Sequence, residues 1–360
     1  MPDAARIWRE RAGAGTNDLF MSPPGAVLRA LLLCSLGGCA LIPEHADAPE
    51  RRIRGPFPSR IQQPIALGRL GFRPRGTDTE PAGRASLALE SAYANLFENG
   101  SGPGGQEVVT DGELWNNSLL VRYGISERAD VEIDLSVLYG SGGFLDRFIE
   151  GWHRVFGFPN GGHEERPRFA YDMHVATGGH TIWSLDGYEP VLLDTPLVTV
   201  ERLIDEGEHH PSLALRAGVD LPTGSEARGA GNGGWDWGVG FLAQKSIGRW
   251  TFTGAVDWVD AKRPSSFVGS GVQAFDGFDV QLGAEYRWND SLSLLAGANL
   301  VPPVTRDFTI REIDREMLGL DLGFAWDTGE SSQMHLGIEE DAISASGPDI
   351  TFLLGWRTQL

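Results

Sequence analysis

The chain has 360 residues, a formal net charge of −19 and a sequence pI near 4.8. That acid excess argues against a nucleic-acid partner, whose phosphates ask for a basic surface. A mean hydropathy of −0.19, with no apolar run of the ~20 residues a spanning helix needs, excludes a helical membrane protein but not a barrel, where only alternate residues meet lipid.

In chain order, residues 1–20 make poor sense ahead of an export signal and read as a start assigned too early. Residues 21–38 read as a signal peptide: Arg29 supplies the positive charge, and an apolar core runs from Ala30 to Leu36. Its end, Leu36-Gly37-Gly38-Cys39, resembles a lipobox and makes Cys39 the expected lipidation site, with cleavage by a general signal peptidase near Gly38 or Ala40 as the competing outcome. Cys34 and Cys39 are the only two cysteines, so the rest of the chain holds neither a disulfide framework nor a cysteine metal site. Residues 39–84 are rich in Pro and Arg and lack a long period. They read as a periplasmic leader, either tucked into a barrel mouth or left as a disordered tether.

From residue 85 to the end the chain alternates with period two. Trp250, Phe252, Val256 and Trp258 share one face, opposed by Thr251, Thr253, Ala255 and Asp257. Phe278, Val280, Leu282, Ala284, Tyr286 and Trp288 are likewise opposed by Asp279, Gln281, Gly283, Glu285 and Arg287. Strands alternate faces residue by residue, so one face is apolar and the other wet. Behind an export signal, this predicts an all-β fold: an antiparallel transmembrane β-barrel over 85–360.

Strands are expected near 86–97, 113–123, 130–139, 192–203, 211–221, 235–246, 249–259, 278–288, 291–300, 317–326, 333–341 and 349–358. Short links (Gly124–Ala129, Asp205–His210, Ile247–Gly248, Asn289–Asp290, Asp327–Ser332) alternate with long ones (98–112, 140–191, 222–234, 260–277, 301–316). Barrels of this class have short periplasmic turns and long outer loops, so twelve strands result, with both termini periplasmic. Phe169 to Trp183 reads as an additional hairpin, which would bring the count to fourteen if both arms crossed the membrane. In the long outer loop, Phe144, Leu145, Phe148, Ile149, Trp152 and Phe156 recur at helical spacing. That short amphipathic helix has three expected places: the outer interface, the lumen as a gate, or the barrel rim.

The chemistry is sparse. Glu132, Asp134, Arg216, Asp220, Asp257, Asp279, Glu285, Arg287 and Asp321 are expected to line the lumen, either along a channel or paired across it as a plug. His174, His180, Ser184 and Asp172 lie close in sequence, but no nucleophile-elbow motif frames a serine, so no catalytic residue is assigned. His209 and His210 with Glu206 and Glu208 are explained by a polar turn as well as by a metal, and no metal site or cofactor is assigned. Expected partners are outer-membrane lipids and, during biogenesis, the barrel-assembly machinery, which would read the C-terminal strand carrying Phe352, Leu354, Trp356 and Leu360.

Three segments together resemble an uncharacterised proteobacterial outer-membrane family, domain of unknown function 3187: Gly55-Pro-Phe-Pro-Ser-Arg-Ile-Gln-Gln-Pro64, Gly143-Phe-Leu-Asp-Arg-Phe-Ile149 with His153, and Leu221-Pro-Thr-Gly224. The resemblance covers about 55–360 and implies a Gram-negative outer-membrane location, with no activity and no catalytic residues to carry over. The sequence therefore points to an outer-membrane barrel acting as a narrow channel or transporter for small or lipidic solutes. An envelope-lipid-modifying enzyme and a plugged structural or assembly barrel are the alternatives.

Overall fold

The computed structural model describes residues 53–149, 151, 167–270, 276–306, 308–343 and 347–360. The expected signal peptide, lipidated Cys39, and His153 lie outside the described residues.

Chain order runs β1 (Ala85–Gly102), β2 (Gln106–Ser126), β3 (Ala129–Ser141), β4 (Asp172–Thr177), β5 (His180–Ser184), β6 (Val191–Leu192), β7 (Thr195–Ile204), β8 (Ser212–Leu221), β9 (Asp236–Ile247), β10 (Trp250–Asp260), β11 (Gly277–Arg287), β12 (Leu292–Val301), β13 (Met317–Asp327), β14 (Ser332–Asp341) and β15 (Ile350–Gln359). Twelve of these close into an antiparallel barrel. β1 to β3 and β7 to β15 pair in sequence, β3 pairs with β7, and β1 meets β15 from Ser86↔Gln359 to Asn95↔Ile350. Closure leaves no bare strand edge, which a sheet surrounded by hydrocarbon cannot tolerate.

The period-two pattern becomes the two faces of the wall. On β10, Thr251, Ala255, Asp257 and Val259 are buried while Trp250, Phe252 and Val256 are exposed outward. On β3, Asp130, Glu132, Asp134 and Ser136 are buried, whereas Leu135 and Val137 are exposed outward. Outward aromatics gather into pairs such as Trp250 with Tyr286 (tilted, 4.8 Å between centroids) near the short turns and Trp258 with Phe278 (edge-on, 4.8 Å) near the long loops.

Two expectations are corrected. Residues 98–112 are not an irregular loop: β1 and β2 continue past the barrel to Gly102 and from Gln106, joined by one 3-10 turn at Pro103–Gly105. The fourteen-strand alternative also falls away. The β4–β5 hairpin pairs with this projecting part of β2 (Glu107↔Ala176 to Asp111↔Asp172) and stays at the loop end. Its apolar residues Met173, Val175 and Trp183 join a buried cluster with Leu96, Val108, Phe267, Phe308 and Ile310 instead of facing outward. Burial inside a cap recruits them, which local alternation alone does not distinguish from a wall strand.

Candidate functional site

The centre of the molecule is the barrel lumen, and residues 53–84 fill it. The segment enters at the short-turn end, rises to the loop end, turns back, and descends to start β1. The incoming arm is anchored first by Arg54. Its backbone N–H donates to Glu285 (2.9 Å), its Nε to Asp327 (3.1 Å) and its Nη1 to Ser293 (3.2 Å). Gly55 N–H also donates to Glu285, at 3.0 Å. Higher up, Phe57 meets His335 edge-on (5.6 Å, 81°), Ser59 Oγ accepts from Asn299 (3.1 Å) and Gln62 Oε1 accepts from Asn116 (3.0 Å). Prolines at 56, 58 and 64 hold the arm extended and donate nothing, so polar contacts fall to the backbone groups between them and to side chains.

The reversal is a 3-10 turn at Ala66–Gly68, wholly buried, with the Ala66 N–H donating to Gln63 Oε1 at 2.9 Å. Ile61, Ile65, Leu67, Leu70 and Phe72 pack here against Leu96, Leu114, Leu138, Leu193 and Val198, so the loop end of the lumen is dry. The outgoing arm is held by ion pairs. Arg69 faces Asp279, Arg73 Nε donates to Asp134 (2.6 Å), and Arg75 Nη2 donates to Asp130 (2.9 Å). Arg73 also donates to Ser118 Oγ (2.6 Å) and to the Pro58 carbonyl of the other arm (2.9 Å), tying both arms to the wall. Near the exit, Thr77 meets Ser212 (2.5 Å) and Glu80 accepts from Ser86 (2.6 Å), and Ala82 bridges to Gly124.

The residues expected in the lumen differ in what they hold. Glu132 accepts from Arg122 Nε (2.9 Å) and lies 3.9 Å from Arg75. Asp134 and Asp279 hold arginines of the strap, and Glu285 holds its backbone. Arg216 and Asp257 pair with each other, both fully buried, and Arg216 lies over the Phe72 ring (4.7 Å) while donating to the Arg73 carbonyl (2.9 Å). Asp220 and Asp321 are buried; Asn299 approaches Asp321 at 3.4 Å. Arg287 is half-buried at the short-turn end of β11. Glu90 and His335 pair at 2.7 Å across the strand between them, which is possible because that strand carries Gly355: a Cβ there would collide with both side chains.

The partners of these wall acids are the residues that sequence reading left unassigned: Arg54, Arg69, Arg73 and Arg75. A signal was present. Between 51 and 77 there are seven arginines and no acid, immediately ahead of strands whose charged inward positions are mostly acidic. Cavities between strap and wall are small, about 20 Å³ beside Glu90, His335 and Arg73 and about 30 Å³ beside Arg69 and Asp279, each the room of about one water. A larger one, about 220 Å³, opens between the two arms at the short-turn end, where Arg75, Arg122 and Arg357 line it.

Trp152 and Phe156 of the expected amphipathic segment lie outside the described residues; its described part, 143–149, takes neither the lumen nor the top of the rim. Residues 146–149 are helical and lie on the outside of the wall, with Leu145 and Ile149 against Tyr93, Ile350 and Phe352. The outward-facing Glu113, buried beneath them, accepts the N–H groups of Phe144 (2.7 Å) and Leu145 (2.5 Å), an anion at a helix start. Gly143 has φ +61°, and a Cβ there would overlap the Glu113 carboxyl group, so this entry turn requires glycine. At the loop end, Asp194 accepts from the N–H groups of Gly224 (2.8 Å) and Asn232 (3.2 Å), pinning the Pro222-Thr223-Gly224 loop. The described histidines form no comparable centre. His174 Nδ1 is taken by Asp172 (2.7 Å), Ser184 stands opposite on β5 with no hydrogen bond to His174 or His180 among the described residues, and His209 is exposed in a polar turn.

The family model described as "Protein of unknown function (DUF3187)" matches residues 30–360, and the chain belongs to that family. No curated protein matches it. Among solved structures, it is similar to the COG4313 outer membrane channel from Pseudomonas putida F1, with 14% identity, 81% of this chain and 100% of that chain covered, and a TM-score of 0.52. It also aligns with the P. putida toluene transporter TodX, with 9% identity, 78% and 91% coverage and a TM-score of 0.36. The first likeness establishes the shared barrel fold.

Proposed function

Taking the chain as a DUF3187-family barrel with its own leader folded through it, we propose that it is an outer-membrane channel for small or lipidic solutes, closed at rest by that leader. The carrying observation is how the strap is held. It adds no strand to the barrel: besides apolar packing of Ile61 to Phe72 at the loop end, its grip on the wall is a set of arginine–carboxylate pairs and single hydrogen bonds. A closure of this kind can detach while the wall's hydrogen-bonded ladders stay intact. The exposed aromatic and aliphatic outer face, the closed barrel and the short turns at the end holding the last residue of β15 support insertion in the outer membrane, with that end in the periplasm. The similarity to a solved outer membrane channel agrees with this reading.

The water-sized interior cavities favour a second reading, a permanently plugged barrel with a structural or assembly role. Planar-bilayer conductance and liposome swelling separate the two, comparing the full chain with a variant lacking 54–80. The channel reading expects rare openings from the full chain and a steady conductance from the variant. Silence from both, with each barrel folded by its heat-dependent gel shift, overturns it in favour of the structural role.

A further inference from the structure

The outer wall carries a site that the strap does not explain. Directly below the 143–149 segment, on the same outward face, lies a groove of about 480 Å³ lined by Leu89, Leu119, Leu135, Val137, Leu354 and Trp356. Its origin is local. Residues along this part of the wall are bulky except at Ser91, which sits between Leu89 and Tyr93 on β1 and opposite Asn117 on β2. Ser91 is both small and polar, and its Oγ accepts the Trp115 indole N–H at 2.8 Å. The carboxamide of Asn117 faces the groove with no hydrogen-bond partner among the described residues. On a surface bathed in hydrocarbon, a polar group without a partner costs free energy, so the site is incomplete without a ligand oxygen or N–H. Above the groove, Phe144 and Phe148 are exposed; Phe144 stacks on Tyr93 (5.5 Å) and Phe148 meets Phe352 at a tilt (6.1 Å). Between them Arg147 projects outward, exposed and without an ion pair among the described residues.

We propose that this face holds one phosphate-bearing, acylated membrane lipid. Its phosphate is taken by Arg147 at the level of the helix. One acyl chain runs down the groove past Leu354, Leu89 and Leu135, and an ester or hydroxyl oxygen of that chain accepts from Asn117. A guanidinium suits a phosphate by charge and by its forked donors. The groove's apolar walls suit a chain, and two residues along a strand span about 7 Å, so the helix, the Asn117 level and the Leu89 level are spaced as headgroup, carbonyl and methylene regions are. The helix then acts as the upper lip of the site, which accounts for a buried carboxylate, Glu113, being spent on fixing its start. The proposal rests on the outer-membrane reading above.

The test uses the full chain, extracted in mild detergent, delipidated and titrated with dioleoylphosphatidylglycerol or with dioleoylglycerol, which shares its chains but lacks phosphate. Native mass spectrometry counts bound lipid. The wild type is expected to hold one phosphatidylglycerol. Ser91→Phe, which fills the groove, abolishes that occupancy, and Asn117→Leu lowers it roughly tenfold, the value of about one hydrogen bond. Arg147→Gln removes the preference for phosphatidylglycerol over dioleoylglycerol. All three side chains face outward, so a heat-dependent gel shift equal to the wild type's confirms that the barrel is intact. Absence of retained lipid in the wild type, or unchanged occupancy in Ser91→Phe, overturns the proposal. Extraction without detergent would instead overturn the membrane reading on which it rests.

Discussion

Replacing Arg73 with alanine tests the idea of a detachable closure most directly. In the closed state its side chain is buried, as is that of Asp134, and it joins three partners: the Asp134 carboxylate, the Ser118 hydroxyl and the Pro58 carbonyl. Removing one member of a buried ion pair costs about 3–5 kcal/mol, chiefly because the surviving charge is left without compensation. The barrel's ladder bonds do not involve Arg73, so most of that cost falls on docking of the strap. With each 1.4 kcal/mol worth a factor of ten, the open population should rise roughly a hundredfold or more in Arg73→Ala. Single-channel recording in planar bilayers reads this as opening frequency. In the double variant Arg73→Ala with Asp134→Ala no stranded carboxylate remains, and much of the increase should disappear. An Arg73→Ala barrel that folds normally and opens no more often than the wild type would refute the claim that ion pairs hold the closure.

Glu113→Ala should release the outer helix: both capped N–H groups lose their acceptor, about 1–2 kcal/mol of local stability, seen as faster amide exchange at Phe144 and Leu145 with the barrel core unchanged. Gly143→Ala should do the same or more, because its Cβ meets the Glu113 carboxyl group and its backbone is left-handed, and limited proteolysis within the 140–191 loop reports it. The backbone around Asp349 should loosen as pH rises. Burial first, and then Glu340 and Asp341, push the Asp349 carboxyl up to about 7. Its folded-state value lies above the unfolded one near 3.9, so stability is fullest below about pH 4 and is lost as pH climbs to 7, by at most about 1.4 kcal/mol per pH unit. Hydrogen exchange of residues 347–349, corrected for intrinsic rate, should be faster at pH 8 than at pH 5.5 in the wild type, and the difference should shrink in Asp349→Asn.

The segments that carried the family resemblance acquire physical reasons in the structure. Gly55 to Pro64 is the incoming arm of the strap, Gly143 to Ile149 is the outer helix with its glycine entry, and Leu221 to Gly224 is the loop pinned by Asp194. None of these contacts has a sequence signature of its own, because each joins residues dozens to hundreds of positions apart, as Arg54 joins Asp327.

The amino-acid order by itself determined the wall. Whether Trp250 points out and Asp257 points in follows from strand geometry and solvent preference, both local, and the spacing of turns then narrows the number of strands to twelve or fourteen. The interior was decided only by the folded chain. A Pro- and Arg-rich stretch has no period to reveal its conformation, and Arg69, Arg73 and Arg75 find their partners only once β3 and β11 have curved round to present Asp130, Asp134 and Asp279 to one enclosed space. The same holds for the outer helix, whose apolar residues could have covered the lumen as readily as the wall. Glu113, facing outward on β2, settles that choice by holding the start of the segment on the outside.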